Sequence, residues 1–403
     1  MIATGYPPYL FSENLCNGKL VMALMKAGIE VDVISRVDEG PSYGAEWTKP
    51  WDMLEPSAHI ISYKTSNKLQ RALDVLYSGI TMGCNFSPGV RWIRRAYEQA
   101  IRLIEVNHYD AVLTRSPNDS AHLVGERIKK KTGIKWIANW NDPAAPIWPG
   151  QYKHQYGDKE QEKKMKETAR LLKGADVNTF PSDSLRQHFI ENFPFLQNLQ
   201  TEVIPHIGLC EQFWPAPTEK FKDAKLRFLH SGNLSTERNP ETTFQAFRQL
   251  IDSGFTDFEF HIMGHINDYT IGLIKKYQLE DYVKCIGSLP YMEALAKMQA
   301  YDVLVLLEAC LEKGIFFASK FTDYLQTGLP ILAISPKKGF AVDMLSGKGG
   351  EFVVDNQSPQ HIYAILTEIV GKWKGGTLSN CASKEIYETV SPAHVVDFYV
   401  TMI

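Results

Sequence analysis

The chain has 403 residues, 44% of them apolar and 22% charged, with a formal charge of −3. This is the balance of a globular protein of two or three domains, and it lacks the basic excess of a general nucleic-acid binder. No run of about 18 apolar residues offers a membrane-spanning helix, and the six cysteines (Cys16, Cys84, Cys210, Cys285, Cys310, Cys381) form no C-x-x-C pair. That spacing excludes a disulfide framework and a zinc site and suits a reducing compartment.

Met1 is not followed by a basic-then-apolar stretch, so no signal peptide is expected and the chain reads as cytoplasmic. Short β-branched runs then alternate with amphipathic stretches, which predicts parallel sheets with crossover helices. In the first half, strands are expected at residues 2–4, 31–35, 111–115, 136–139, 177–180 and 202–204. Helices are expected at 17–27 and 120–132, stopped by Gly28 and Gly133, with Ser12 as a helix cap.

Residues 43–100 are less regular and rich in aromatics. Lys64, Lys68, Arg71, Arg91, Arg94, Arg95 and Arg102 lie in or beside them, and Trp92 sits among the arginines. They read either as two solvated helices or as a surface facing an anionic acceptor or membrane headgroups. The strand at 136–139 runs into Trp140-Asn141-Asp142-Pro143. Ligands gather at such strand ends in open α/β sheets, so Asn141 and Asp142 are candidates, with Arg115 at a neighbouring strand end. The bland alternative is an Asp-Pro turn.

After His206 the alternation breaks, and Pro215, Pro217 and the charges from Glu219 to Lys225 mark a linker. Strands resume at 226–230, 258–263, 283–286, 303–307, 331–334 and 351–354. The expected domains are therefore 1–208, a linker at 209–225, and 226–390. In the turn after the first of these strands, Arg238 and backbone donors converge on a helix N-terminus, a fit for phosphate. The opposing reading is a solvated arginine. His206, His230 and His265 lie near strand ends and read as structural or solvent-facing. No H-x-x-x-H or carboxylate-rich cluster suggests a metal.

The strongest pattern is Ser319-Lys320-Phe321-Thr322-Asp323-Tyr324, followed by Gly328-Leu329-Pro330. It reads as a helix capped by Ser319 and stopped by Gly328, with Pro330 preventing its continuation. Lys320 and Asp323 share one helix face. A lysine at a helix N-terminus strengthens an anion site, and an aspartate one turn on accepts hydrogen bonds from sugar hydroxyls. Without context the two are an ordinary surface pair.

The segment resembles the P/S-K-x-x-E/D-Y-x-x-x-G-x-P pattern of retaining GT-B glycosyltransferases similar to glycosyltransferase family 4. Tyr6-Pro7-Pro8, Val203-Ile204-Pro205-His206-Ile207-Gly208, Phe228-Leu229-His230-Ser231-Gly232-Asn233-Leu234 and Phe260-His261-Ile262-Met263-Gly264 follow the family's order. The resemblance implies an α/β GT-B fold, two doubly wound Rossmann-like parallel-sheet domains facing a cleft, with 391–403 packing back on the first. It implies transfer of a sugar, with retention, from a UDP- or GDP-linked donor to a hydroxyl of a glycan or lipid-linked acceptor. Bacterial surface polysaccharide or glycolipid synthesis is the setting it suggests.

In that resemblance Lys320 and Arg238 meet the diphosphate, Asp323 the ribose, and Asp142 the reacting centre. Ser319, Gly232, Asn233 and Tyr324 complete the donor set. Ser12 stands where relatives have a glycine pair, and Arg115 and Asn141 lie on the acceptor side. Neither a metal nor a cofactor beyond the donor is expected, nor is nucleic acid, while peripheral contact at the inner membrane face is. Two positions depart from the family. Asn233 replaces a second arginine, and Ile315 replaces the first of two glutamates, the one near the donor sugar. Glu308 and Glu312 are close in sequence but wrongly spaced. These departures motivate a non-catalytic partner subunit as an alternative. A sugar-nucleotide epimerase is another, although no acidic set suited to proton removal is identified.

Overall fold

A computed structural model describes residues 1–36, 46–62, 67–82, 90–117, 119–347, 352–378 and 384–403. Tyr43, Lys64, Cys84, Glu351 and Cys381, invoked above, lie outside the described residues. The chain divides into two compact units, Met1–Ile207 with Pro392–Ile403, and Gly208–Ser391.

The first unit is built on β1 (Ile2–Ala3), β2 (Val33–Arg36), β3 (Ala58–Ile61), β4 (Ala111–Arg115), β5 (Lys135–Asn139), β6 (Val177–Phe180) and β7 (Thr201–Val203). They form one parallel sheet in the order β3-β2-β1-β4-β5-β6-β7. The chain winds outward from β1, returns and continues from β4, so the topological switch lies between those two strands. The edge strand β3 was not anticipated. Its Ala-His-Ile-Ile sequence is half-buried and carries little alternation.

The first helix spans Ser12–Lys26 and begins earlier than expected. Asn17 Nδ2 donates to the Gly5 carbonyl at 2.8 Å and Asn14 Nδ2 to that of Tyr6 at 3.2 Å, binding the entry loop to the polar first turns. Ser12 is the first helical residue rather than the cap; Phe11 holds the cap position and makes no side-chain capping bond. Helix Pro392–Met402 packs against this helix, and Tyr399 is buried there.

Helices Lys68–Met82 and Val90–Val106 occupy the irregular stretch. Trp92 is buried and donates its indole N–H to the Ser35 carbonyl at 3.1 Å. Arg91 and Arg94 both pair with Asp74, at 2.8 and 3.0 Å, and Arg95 donates to the Ser62 carbonyl at 2.7 Å. These groups tie the helices to each other and to the sheet, which corrects the reading of Trp92 and its arginines as an outward surface. Helix Lys68–Met82 is largely outward, and its exposed residues include the apolar Leu69, Leu73, Leu76, Tyr77 and Ile80.

The second unit holds β8 (Leu226–Ser231), β9 (Phe258–Met263), β10 (Val283–Cys285), β11 (Val303–Leu307), β12 (Ile331–Ser335) and β13 (Phe352–Asp355). All pair in parallel in the order β10-β9-β8-β11-β12-β13. Every residue of β11 and β12 is buried, as a sheet covered by helices on both faces requires. Phe228, Phe247, Phe258 and Phe260 fill one layer, with Phe247 and Phe258 stacked at 5.2 Å. The switch point lies between β8 and β11. Ligands in this topology collect at the carboxyl ends of such a strand pair.

Candidate active site

At the carboxyl end of β8 the chain passes through Gly232 with φ 126°, a conformation that strongly favours glycine. A Cβ added there would lie 2.4 Å from Lys320 Nζ, so the ammonium rests directly over the Gly232 backbone. Gly264, at the end of β9, is equally constrained; its Cβ would lie 2.4 Å from the Gly232 carbonyl oxygen. The exposed Asn233 joins the same two strand ends, its Oδ1 accepting from the His265 N–H at 2.8 Å.

Lys320 opens helix Lys320–Thr327, which ends at Gly328 with φ 71°. Ser319 occupies the preceding position, but its backbone is already helical (φ −54°, ψ −34°) and its side chain makes no capping bond. A side-chain cap needs an extended residue there, so Ser319 contributes position rather than the expected cap. Asp323 is buried and accepts from the Tyr291 hydroxyl at 2.8 Å.

Lys320 Nζ stands 3.3 Å from His230 Nε2, while His230 Nδ1 is 3.0 Å from the Val305 carbonyl. A proton on Nδ1 satisfies that carbonyl and leaves the Nε2 lone pair for Lys320. Burial, then the Lys320 and Arg238 cations, hold the imidazole well below its usual range. Lys320 is itself pushed well down by burial and by Arg238, against the pull of Asp323. Lys320 and Arg238 thus bear on each other through a low-dielectric surrounding, and an anion bound beside them would favour the charged form of Lys320.

Tyr324 is fully buried, accepting from the Ser231 N–H at 2.8 Å and donating to the Val305 carbonyl at 3.3 Å. Its hydroxyl pins the end of β8, so Tyr324 shapes the turn from below. Glu308, the first residue past β11, was missed because its sequence spacing is wrong. Both of its carboxyl oxygens are buried without a hydrogen-bond partner. Burial raises it to about 8, with Arg238 pulling the other way. Ile315 is buried in the core.

The first unit gathers a second polar cluster at its own strand ends. Arg115 is buried and donates to Asn17, to the Tyr399 hydroxyl at 3.3 Å and to Asn141 Oδ1 at 3.4 Å. Its guanidinium stands 3.6 Å from Glu13 Oε1, which also accepts from Asn141 Nδ2 at 2.5 Å. Arg115 and Asn141 are therefore engaged within the fold. Burial lifts Glu13 to about 8; Arg115 opposes this and the nearby Asp142 adds to it. Asp142 is half-buried at the end of β5, and Ser12 is exposed on the first helical turn. Glu13 carried no sequence signal beyond its place beside Ser12.

Among the described residues no group of three or more His, Cys, Asp or Glu is placed to hold a metal ion. Likewise, no described helix is long and apolar enough to cross a membrane.

Residues 214–377 match the family model for glycosyl transferases group 1. No curated protein matches the chain in sequence. In three dimensions it is similar to HepE of Anabaena, solved with UDP and glucose, at a TM-score of 0.68 and 13% identity over 100% of this chain and 99% of that one. Sucrose-phosphate synthase of Thermosynechococcus elongatus gives a TM-score of 0.67 at 15% identity, covering 100% and 98%. A glycosyltransferase of Rickettsia africae gives 0.65 at 13% identity, covering 100% and 97%. At such identities the likeness establishes the fold, which is GT-B.

Proposed function

We propose that this GT-B chain, related to glycosyl transferases group 1 through residues 214–377, is a metal-independent glycosyltransferase. It would move a sugar, with retention, from a nucleoside-diphosphate donor to a hydroxyl of a glycan or lipid-linked acceptor. The observation that supports this is Lys320 Nζ resting over the Gly232 backbone at the switch point of the second unit, at the N-terminus of helix Lys320–Thr327, with Arg238 bearing electrostatically on it. Breaking a glycosidic bond to a diphosphate builds negative charge on the leaving oxygens. Fixed cations and helix N–H groups stabilise that charge more in the transition state than before it. Asp323 would hold the ribose, with Gly232, Asn233 and Ser319 around the phosphates.

The acceptor would bind at the strand ends of the first unit beside Asp142 and Ser12, on the frame set by Arg115 and Asn141. The stripe of Leu69, Leu73, Leu76, Tyr77 and Ile80, flanked by Lys68 and Arg71 on the same helix, supports contact with an anionic membrane carrying a lipid-linked acceptor. Cys16, Cys210, Cys285 and Cys310 form no disulfide with one another, which suits a reducing, cytoplasmic setting. Synthesis of surface polysaccharide or glycolipid is the process such chemistry serves.

The test is a screen of UDP-, GDP-, ADP- and CMP-linked sugars, read by calorimetric binding and by release of free sugar in slow donor hydrolysis. Binding and hydrolysis of one donor, both reduced in Lys320→Ala, support the reading. Binding without hydrolysis or transfer would instead indicate a non-catalytic partner subunit.

A further inference from the structure

A carboxyl group buried with neither oxygen hydrogen-bonded is costly and uncommon in native proteins. Glu308 is such a group, and its place is specific: it follows the last residue of β11, which flanks the switch point with β8. Its surroundings hold it there. Asn356 Nδ2 donates to the Ala309 carbonyl at 3.1 Å and reaches that of Glu308 at 3.4 Å, fixing the strand end. A Cβ added at Gly314 would lie 2.7 Å from Glu308 Oε2, and the Gly314 backbone is bonded to Lys338 and Phe340 at 2.9 and 2.8 Å. Asn356 Oδ1 is a second buried acceptor without a partner.

We propose that Glu308 binds a hydroxyl of the donor's sugar, an inference that rests on the nucleotide-sugar reading of this site. Its chemistry favours a hydroxyl over a phosphate. A sugar hydroxyl donates to a carboxylate and accepts from a carboxylic acid, so it satisfies Glu308 in either protonation state. A phosphate would be repelled by the ionised form and is drawn instead to Lys320 and Arg238. The Cys310 N–H donates to the Glu237 carbonyl at 3.2 Å, so the turn that carries Arg238 lies against the end of β11, and Arg238 acts electrostatically on both Lys320 and Glu308; the proposed phosphate and sugar positions share one cation. That is the order of groups in a nucleoside-diphosphate sugar.

The experiment compares free nucleotides with their sugar conjugates: UDP against UDP-glucose and GDP against GDP-mannose, by calorimetry on wild type, Glu308→Ala and Glu308→Gln. Loss of one hydrogen bond to a carboxyl is worth about ten- to 150-fold in affinity. The expected result is a loss of about tenfold or more on the sugar nucleotide in Glu308→Ala, with the free nucleotide unchanged. Glu308→Gln, nearly isosteric and able to hydrogen-bond a hydroxyl, is expected to lose less; it decides the matter if the alanine variant fails to fold. Equal losses on nucleotide and sugar nucleotide, or none on either, overturn the assignment while leaving the donor site standing. If wild type binds neither kind of ligand, the donor-site reading fails and the assignment fails with it.

Discussion

Lys320 donates to Nε2 of His230 across 3.3 Å, and His230 is oriented from behind by the Val305 carbonyl at 3.0 Å. A buried neutral imidazole therefore fixes where the ammonium points. His230 is a positioning residue, and two measurable consequences follow. Removing it in His230→Ala should lower kcat by about tenfold, on the scale of losing part of one charge-stabilising group, with a smaller change in donor KM. The second is in stability. His230 is held neutral in the fold, so the unfolded chain takes up the extra proton as pH falls below about 6.5, and stability drops on that side. His122, buried and lowered to about 3, acts in the same direction. Melting temperatures from pH 7.5 to 5 should fall, and fall less steeply in folded His230→Ala; equal slopes would contradict the neutral charge assigned to His230.

Glu308 has the opposite sign. Its carboxyl is raised to about 8 in the fold, so it keeps a proton that the unfolded chain loses above about 4.5. Its burial therefore lowers stability progressively as pH rises from about 4.5 to 8. Glu308→Gln should raise the melting temperature by a few degrees at pH 8 and leave it nearly unchanged at pH 4.5. A gain equal at both pH values would mean that the effect is packing rather than ionisation.

Most of the architecture was legible because buried parallel strands are short β-branched runs, of which the Val303–Leu307 stretch is typical. The strand that escaped, Ala58–Ile61, is a half-buried edge with a histidine in it. Side-chain destinations were less legible. Nothing in the sequence separates Tyr324, which ends under the turn, from Asp323 beside it. Arg115 looked like a ligand contact at a strand end, yet it binds Asn17, Asn141 and Tyr399, brought together from distant parts of the chain. Ser12 and Ser319 have cap chemistry but not cap geometry, because residue type does not fix φ and ψ. Glu308 was sought by spacing along the chain, whereas its neighbourhood is set by the sheet's switch point.

Helix Lys68–Met82 carries its exposed apolar side chains at 69, 73, 76, 77 and 80, one face of a helix. Sedimentation with liposomes should depend on anionic lipid and weaken in salt, since each nearby cation contributes on the order of 1 kcal/mol on such surfaces. Leu73→Asp combined with Ile80→Asp should abolish pelleting without lowering the melting temperature. Identical pelleting on neutral and anionic vesicles would remove the electrostatic part of the reading.

Donor binding is expected to survive EDTA. In the proposed site Lys320 and Arg238 would supply at the diphosphate the charge compensation that a divalent ion supplies elsewhere. Calorimetry in chelator should give an unchanged Kd; a loss restored by magnesium or manganese would show that the two cations are insufficient.

Lys320 and Asp323 stand one helical turn apart but should fail differently. Lys320 would meet charge that peaks as the diphosphate departs, so Lys320→Ala should chiefly lower kcat, by about 10²- to 10³-fold. Its pKa, pushed down by burial and Arg238, should recover once the anionic donor is bound, because a nearby negative charge favours the protonated amine. Asp323 would hold the ribose equally before and during bond breaking. Asp323→Ala should therefore raise donor KM by about ten- to 150-fold and leave kcat within a few-fold of wild type. The Tyr291 hydroxyl, now 2.8 Å from Asp323, loses this hydrogen bond in that variant, so Tyr291→Phe is the control for indirect effects. Steady-state kinetics of the three variants, with circular dichroism to confirm folding, separate the roles. A folded, fully active Lys320→Ala would show that the diphosphate is stabilised elsewhere, and equal kcat losses in both alanine variants would show that Asp323 acts on the transition state too.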